Sequence, residues 1–97
     1  MKVETTSLDG VLCITPDVFC DHRGYYIETY NESMYVDAGI GVKFIQDDIS
    51  VSFQKVLRGI HGDQDTWKLV SCLAGQFFLV VVNNDDSSPQ YRQWEKF

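Results

Sequence analysis

Between positions 58 and 68 the chain carries Arg58, His61, Asp63 and Lys68: two cations, a titratable imidazole and a carboxylate within eleven positions. An imidazole changes protonation near neutral pH and suits general acid–base work. Cations beside it suit an anionic ligand or a charge that develops during a reaction. The surrounding stretch VLRGIHGDQDTWKLVSCLAG (56–75) otherwise reads as two short strands. With a strand period of two, Lys68, Val70 and Cys72 share one face, as do His61 and Asp63, while Arg58 falls opposite them in a regular strand. Gly59 stands between Arg58 and His61, and a bulge at a strand glycine re-aims the side chains that follow. The hairpin of 56–73 is therefore expected to deliver Arg58, His61 and Lys68 to one pocket.

The rest of the chain must build the support for that hairpin. VLCIT (11–15) is β-rich and closed by Pro16; DHRG (21–24) is a turn signal leading into the strand candidate YYIETY (25–30). In NESMYVDAG (31–39), Asn31 is a candidate N-cap, Glu32 an acidic first-turn residue and Gly39 a stop signal, which predicts one short helix over 31–38. Beyond it the pattern is β throughout: VKFIQDDISVSF (42–53), KVLRGIH (55–61), WKLVSCL (67–73), QFFLVVV (76–82) and YRQWEKF (91–97). No repeat, low-complexity tract or linker interrupts it. Several short strands with one helix predict a mainly β sandwich or jelly roll, with residues 1–97 as a single domain.

Composition narrows the partners. At 97 residues, 44% hydrophobic and 13% aromatic, the chain is globular in character, and its longest apolar run, Phe77 to Val82, has strand length rather than membrane-spanning length. No membrane association is expected. The polar N-terminal stretch MKVETTSLDG lacks the apolar centre of a signal peptide, so a cytoplasmic location is expected. A net charge of −6 argues against a nucleic-acid partner. Three cysteines, Cys13, Cys20 and Cys72, form no C-x-x-C pair and read as reduced, packed thiols. In so acidic a chain the cations Arg23, Arg58 and Lys68 stand out because they fall in the chemically unusual segments, as if to receive a small anionic ligand.

The 56–75 stretch resembles the first motif of the cupin superfamily, G-x5-H-x-H-x(3 or 4)-E-x6-G. His61 is followed by x and Asp63, then by Lys68 in the glutamate position, and by Gly75. An ammonium in that position would repel a metal cation, so no metal is expected. More specifically, TPDVFCDHRGYYIETY (15–30), FIQDDISVS (44–52) and VLRGIHGDQDTWKLVSCLAG are similar, in order, to three motifs of the dTDP-4-dehydrorhamnose 3,5-epimerase family. The GIHGD and TWKLV variants, together with SPQYRQWEKF, look closest to the branch that acts on nucleotide-linked 4-keto heptoses or related 6-deoxy sugars.

This resemblance implies a cupin-type jelly roll that lacks its C-terminal strands, because it covers only the first half or so of a family member. It implies that His61 is the general base next to the C4 ketone and that Lys68 meets the developing oxyanion. Arg23 and Arg58 align with ligand-binding arginines, and Glu28 and the segment Gln46 to Asp48 with positions that hold the nucleotide. The implied partner is a nucleotide-linked 4-keto-6-deoxy sugar or heptose; no cofactor is implied, and a homodimer is.

The chain also departs from the family pattern. Asp48 stands where the family usually has Asn, which removes two donors and adds a negative charge. The family's proton-donor tyrosine and the acid that orients the catalytic histidine lie beyond the residues in hand. The alternative to an epimerase is thus a non-catalytic cupin-like module that binds a nucleotide-sugar or a protein. Individual residues have plainer roles open to them: Lys68 a snorkelling strand-edge lysine, Arg23 the partner of Asp21 in a turn ion pair, YYIETY and QFFLVV core or interface material, Trp67 and Trp94 packing residues, and NNDDSS a solvated turn.

Overall fold

The computed structural model describes all 97 residues, Met1–Phe97. It is mainly β, with three small antiparallel sheets and one short helix. The chain divides into two compact units, one formed by Met1–Asn31 with Ser71–Phe97, the other by Glu32–Val70.

In the first unit, β1 (Lys2–Thr5) pairs with β2 (Leu12–Thr15), Lys2 opposite Thr15 and Thr5 opposite Leu12. The connecting loop is ordered by its own polar groups. Thr6 Oγ1 accepts the Leu8 N–H (3.2 Å), Val11 N–H reaches the Leu8 carbonyl (3.2 Å), and Gly10 supplies the positive φ (79°) that this turn needs. Leu8 is buried at its centre. From far along the sequence, Glu95 accepts the Ser7 N–H (2.8 Å) and Oγ–H (2.5 Å), and Gln90 bonds the Ser7 carbonyl and the Asp9 N–H. The Ser7 contacts hold the Glu95 carboxyl below its usual range.

The second hairpin joins β3 (Val18–Asp21) to β4 (Gly24–Ile27) through the two-residue loop His22–Arg23. The third joins β5 (Val80–Val82) to β6 (Trp94–Lys96), and its ladder is prolonged by paired bonds between Leu79 and Phe97 (2.8 and 3.0 Å). The turn expected at NNDDSS is present: Asp85 Oδ1 accepts the Ser87 N–H and Oγ–H, and Asn83 Nδ2 bonds Ser88 Oγ.

The second unit opens with α1 (Glu32–Asp37), one residue shorter at each end than the expected 31–38. Six residues cannot sustain a helix in water without outside help. Help comes at the C-terminus, where Ile40 N–H bonds the Tyr35 carbonyl (2.8 Å), Gly39 N–H bonds the Val36 carbonyl (2.9 Å), and Gly39 takes φ 84°. This is a Schellman stop, which satisfies carbonyls that the helix end leaves open. Tyr35 is buried and meets Phe44 edge-on, ring centroids 6.4 Å apart.

From Val42 to Leu79 the chain forms no strand. The strands expected over 42–53, 55–61 and 67–73 are thus not seen, and the expected strand 76–82 is reduced to Val80–Val82. Pairing must repay the entropy of ordering the backbone, and an amphipathic strand does so by packing its apolar side on another layer. Here that side meets water: Phe53 is 86% exposed and Leu57 96%. Only Leu8 and Tyr35 are buried apolar side chains. For the same reason Tyr25, Tyr26, Trp67 and Trp94, expected as packing residues, are exposed. The three cysteines are free, as expected, but exposed rather than packed. No helix is long and apolar enough to cross a membrane.

Candidate active site

Arg23 sits at the tip of the β3–β4 hairpin, where Asp21 binds it twice over. Asp21 Oδ1 accepts the Arg23 N–H (2.8 Å) and Oδ2 accepts Nη2 (2.6 Å). The Arg23 guanidinium holds the Asp21 carboxyl below its usual range, and the carboxylate in turn raises the Arg23 pKa. The turn ion pair read from the sequence is therefore present. A concavity of about 420 Å³ lies over this hairpin, lined by Phe19, Cys20, Asp21, Arg23, Tyr25 and Tyr26 among others. Of the seven residues singled out from the sequence, Arg23 alone lines it. Glu28 follows β4 and is exposed.

The other five belong to the second unit. Gln46 and Asp48 are joined directly, Gln46 Nε2 donating to Asp48 Oδ2 at 2.9 Å. Arg58 reaches back over a four-residue turn closed by Val56 N–H on the Phe53 carbonyl (3.3 Å), in which Lys55 takes φ 67°. Its Nε donates to Ser52 Oγ (2.8 Å) and its Nη2 to the Val51 carbonyl (3.0 Å). In a two-residue hairpin closing on Phe53 and Val56, position 51 stands opposite 58 and 52 opposite 57, so these contacts follow hairpin register although no ladder is formed. His61 is exposed. Gly59, where a backbone irregularity was expected, has φ 137°, which only glycine adopts readily.

Asp63, Thr66 and Lys68 form a hydrogen-bonded cluster whose contacts the sequence reading did not foresee. Asp63 Oδ1 accepts the N–H groups of Asp65 (3.1 Å) and Thr66 (2.7 Å), fixing the turn at Gln64–Asp65. Asp63 Oδ2 accepts Lys68 Nζ at 2.6 Å, and Lys68 Nζ also donates to Thr66 Oγ1 at 2.6 Å. Lys68 first, then Thr66, holds the Asp63 carboxyl far below the usual carboxylate range. The signal for it was available: Asp followed three residues later by Thr is a side-chain-capped turn.

The sequence model of dTDP-4-dehydrorhamnose 3,5-epimerase matches residues 5–97. The chain is 42% identical over 91 residues to a dTDP-4-dehydrorhamnose 3,5-epimerase of Methanothermobacter thermautotrophicus, covering 92% of this chain and 49% of the relative. It is 40% identical over 98 residues to the Salmonella typhimurium protein of the same name, covering 97% and 54%. A dTDP-4-dehydrorhamnose 3-epimerase of Streptomyces niveus is 34% identical over 99 residues, covering 98% and 48%. The chain thus spans about half the length of the curated relatives it matches. No solved structure matches it at a significant level. A family match that runs through both units, and takes in the Asp21–Arg23 turn, the Gln46–Asp48 pair and the His61–Lys68 turn, means that the chain belongs to the dTDP-4-dehydrorhamnose 3,5-epimerase family.

Proposed function

We propose that this protein epimerises a nucleotide-linked 4-keto-6-deoxy sugar or heptose at carbon next to the C4 ketone. The proton on that carbon passes to the His61 imidazole, and the C–H electron pair moves into an enolate whose oxygen is met by the Lys68 ammonium. A proton from water then enters on the opposite face and inverts the centre, while the proton held by His61 passes to solvent; nothing is oxidised or reduced. Arg23 and Arg58 bind the diphosphate through planar guanidinium donors, and Glu28, Gln46 and Asp48 hold the nucleotide.

The observation that carries this reading is the short turn between base and cation. Asp63 Oδ1 accepts the Thr66 N–H across it, and arms that continued from this turn in hairpin register would set position 61 opposite 68, with imidazole and ammonium on one face. A homodimer, the assembly we favour, accounts for the exposed β-patterned side chains Ile45, Ile49, Val51, Phe53, Leu57 and Ile60, which a second copy would cover. Cytoplasmic residence fits free cysteines and a sugar-nucleotide substrate.

The test is incubation with a dTDP-linked 4-keto-6-deoxyhexose in deuterium oxide. An epimerase incorporates deuterium at the carbon beside the ketone. Saturable binding without incorporation, weakened by Arg58→Ala and indifferent to His61→Ala, would instead identify a binding module.

A further inference from the structure

We propose that Asp63, assisted by Thr66, is a positioning residue that fixes where the Lys68 ammonium points. The inference rests on the reading of Lys68 as the group that meets the enolate oxygen. A lysine ammonium is a compact charge on a flexible four-carbon stem, and nothing in its own chemistry gives it a direction. Stabilisation of a developing charge depends on donors already aimed at it, because a donor that must reorganise during the reaction gives back much of what it gains.

The turn between His61 and Lys68 supplies that aim. Asp63 divides its two oxygens between two tasks. Oδ1 binds the backbone N–H groups of Asp65 and Thr66, which anchors the carboxylate to the turn. Oδ2 then binds Lys68 Nζ at 2.6 Å. Thr66 completes the seat: its hydroxyl lies 2.7 Å from each Asp63 carboxylate oxygen and 2.6 Å from Nζ. Two of the three ammonium protons are thereby committed to the turn, and the third is left to project from it. Lys68 first and Thr66 second keep Asp63 ionised far below the usual carboxylate range, so the seat persists at any pH where an imidazole base works.

A carboxylate next to an ammonium also weakens the field that the ammonium exerts on an enolate. The benefit must therefore come from orientation, and this separates positioning from a merely structural cap. Asparagine at position 63 keeps an oxygen for the turn N–H groups but presents an amide N–H₂ to the ammonium in place of Oδ2. If Asp63 only caps the turn, Asp63→Asn leaves the reaction unchanged. If it aims Lys68, Asp63→Asn lowers kcat for deuterium incorporation about tenfold with KM within about twofold, and Thr66→Val, which leaves the cap intact, lowers kcat in the same sense.

Two further measurements make the outcome unambiguous. Lys68→Ala abolishes incorporation if Lys68 meets the enolate; incorporation at the wild-type rate in Lys68→Ala overturns both that role and the positioning proposal. Loss in Lys68→Ala with wild-type kcat in Asp63→Asn and Thr66→Val overturns the positioning proposal alone. ¹⁵N relaxation of the lysine Nζ groups in the unmutated protein needs no variant to fold. The expected result is a Lys68 ammonium distinctly more ordered than that of Lys96, and equal mobility for the two overturns the proposal.

Discussion

Gly24 faces Asp21 at the end of the β3–β4 ladder with φ 135°, and a methyl group built there meets no atom within 4 Å. Crowding therefore contributes nothing to the effect of Gly24→Ala; what remains is a backbone conformation that an L side chain rarely adopts. Strain of that kind costs about 1–3 kcal/mol. At about 1.4 kcal/mol for each factor of ten, the hairpin should open about 5- to 150-fold more often. Amide hydrogen exchange across Val18–Ile27 reads this directly, with the β1–β2 amides as an internal reference. D-Alanine at the same position, introduced by chemical ligation, favours the mirror-image region and should leave exchange near the wild-type rate. Arg23 occupies the loop that Gly24 closes, so the L-alanine variant should also bind a nucleotide diphosphate more weakly. Wild-type exchange rates in Gly24→Ala would refute the reasoning, because they would mean that the position is not held at positive φ.

Two other outcomes follow from the packing and the charges. Tyr35 is 3% exposed and carries the contact with Phe44, so Tyr35→Ala should cost about 3 kcal/mol in the stability of the second unit, measured by urea denaturation followed by helix circular dichroism. The Asp63 Cγ resonance should titrate with a midpoint well below that of an unstructured aspartate, which lies near about 3.9. Since the folded value is the lower one, the stabilisation tied to Asp63 is present in full above the unfolded value and is lost as pH falls through the folded value. Lys68→Ala should move the midpoint back up.

Local signals were the legible ones. Glu32 and Gly39 mark the limits of α1 because an acidic first turn and a left-handed stop are written in single residues. The DHRG turn was legible for the same reason, since Asp21 caps its own loop. Strand β3 went unread because VFCD is four residues long and offers too little alternation to stand out. The strands read over 42–73 depend on partners far away in sequence and on an apolar layer that these residues do not supply, so pattern alone did not settle their pairing. At the site, residue types were legible and contacts were not. Asp63 was noted as sharing the face of His61, yet its bond to Lys68 depends on a turn that brings residues five apart within 2.6 Å. The family match, by contrast, was carried by motif order, which survives whether or not the strands pair.

The role of His61 decides whether this fold is an epimerase or a relic of one. His61→Ala should lose deuterium incorporation beside the substrate ketone while still binding the nucleotide-sugar, and added imidazole should restore part of the rate by entering the space the side chain leaves. Incorporation by His61→Ala at the wild-type rate, without imidazole, would remove the base from the mechanism and the mechanism with it.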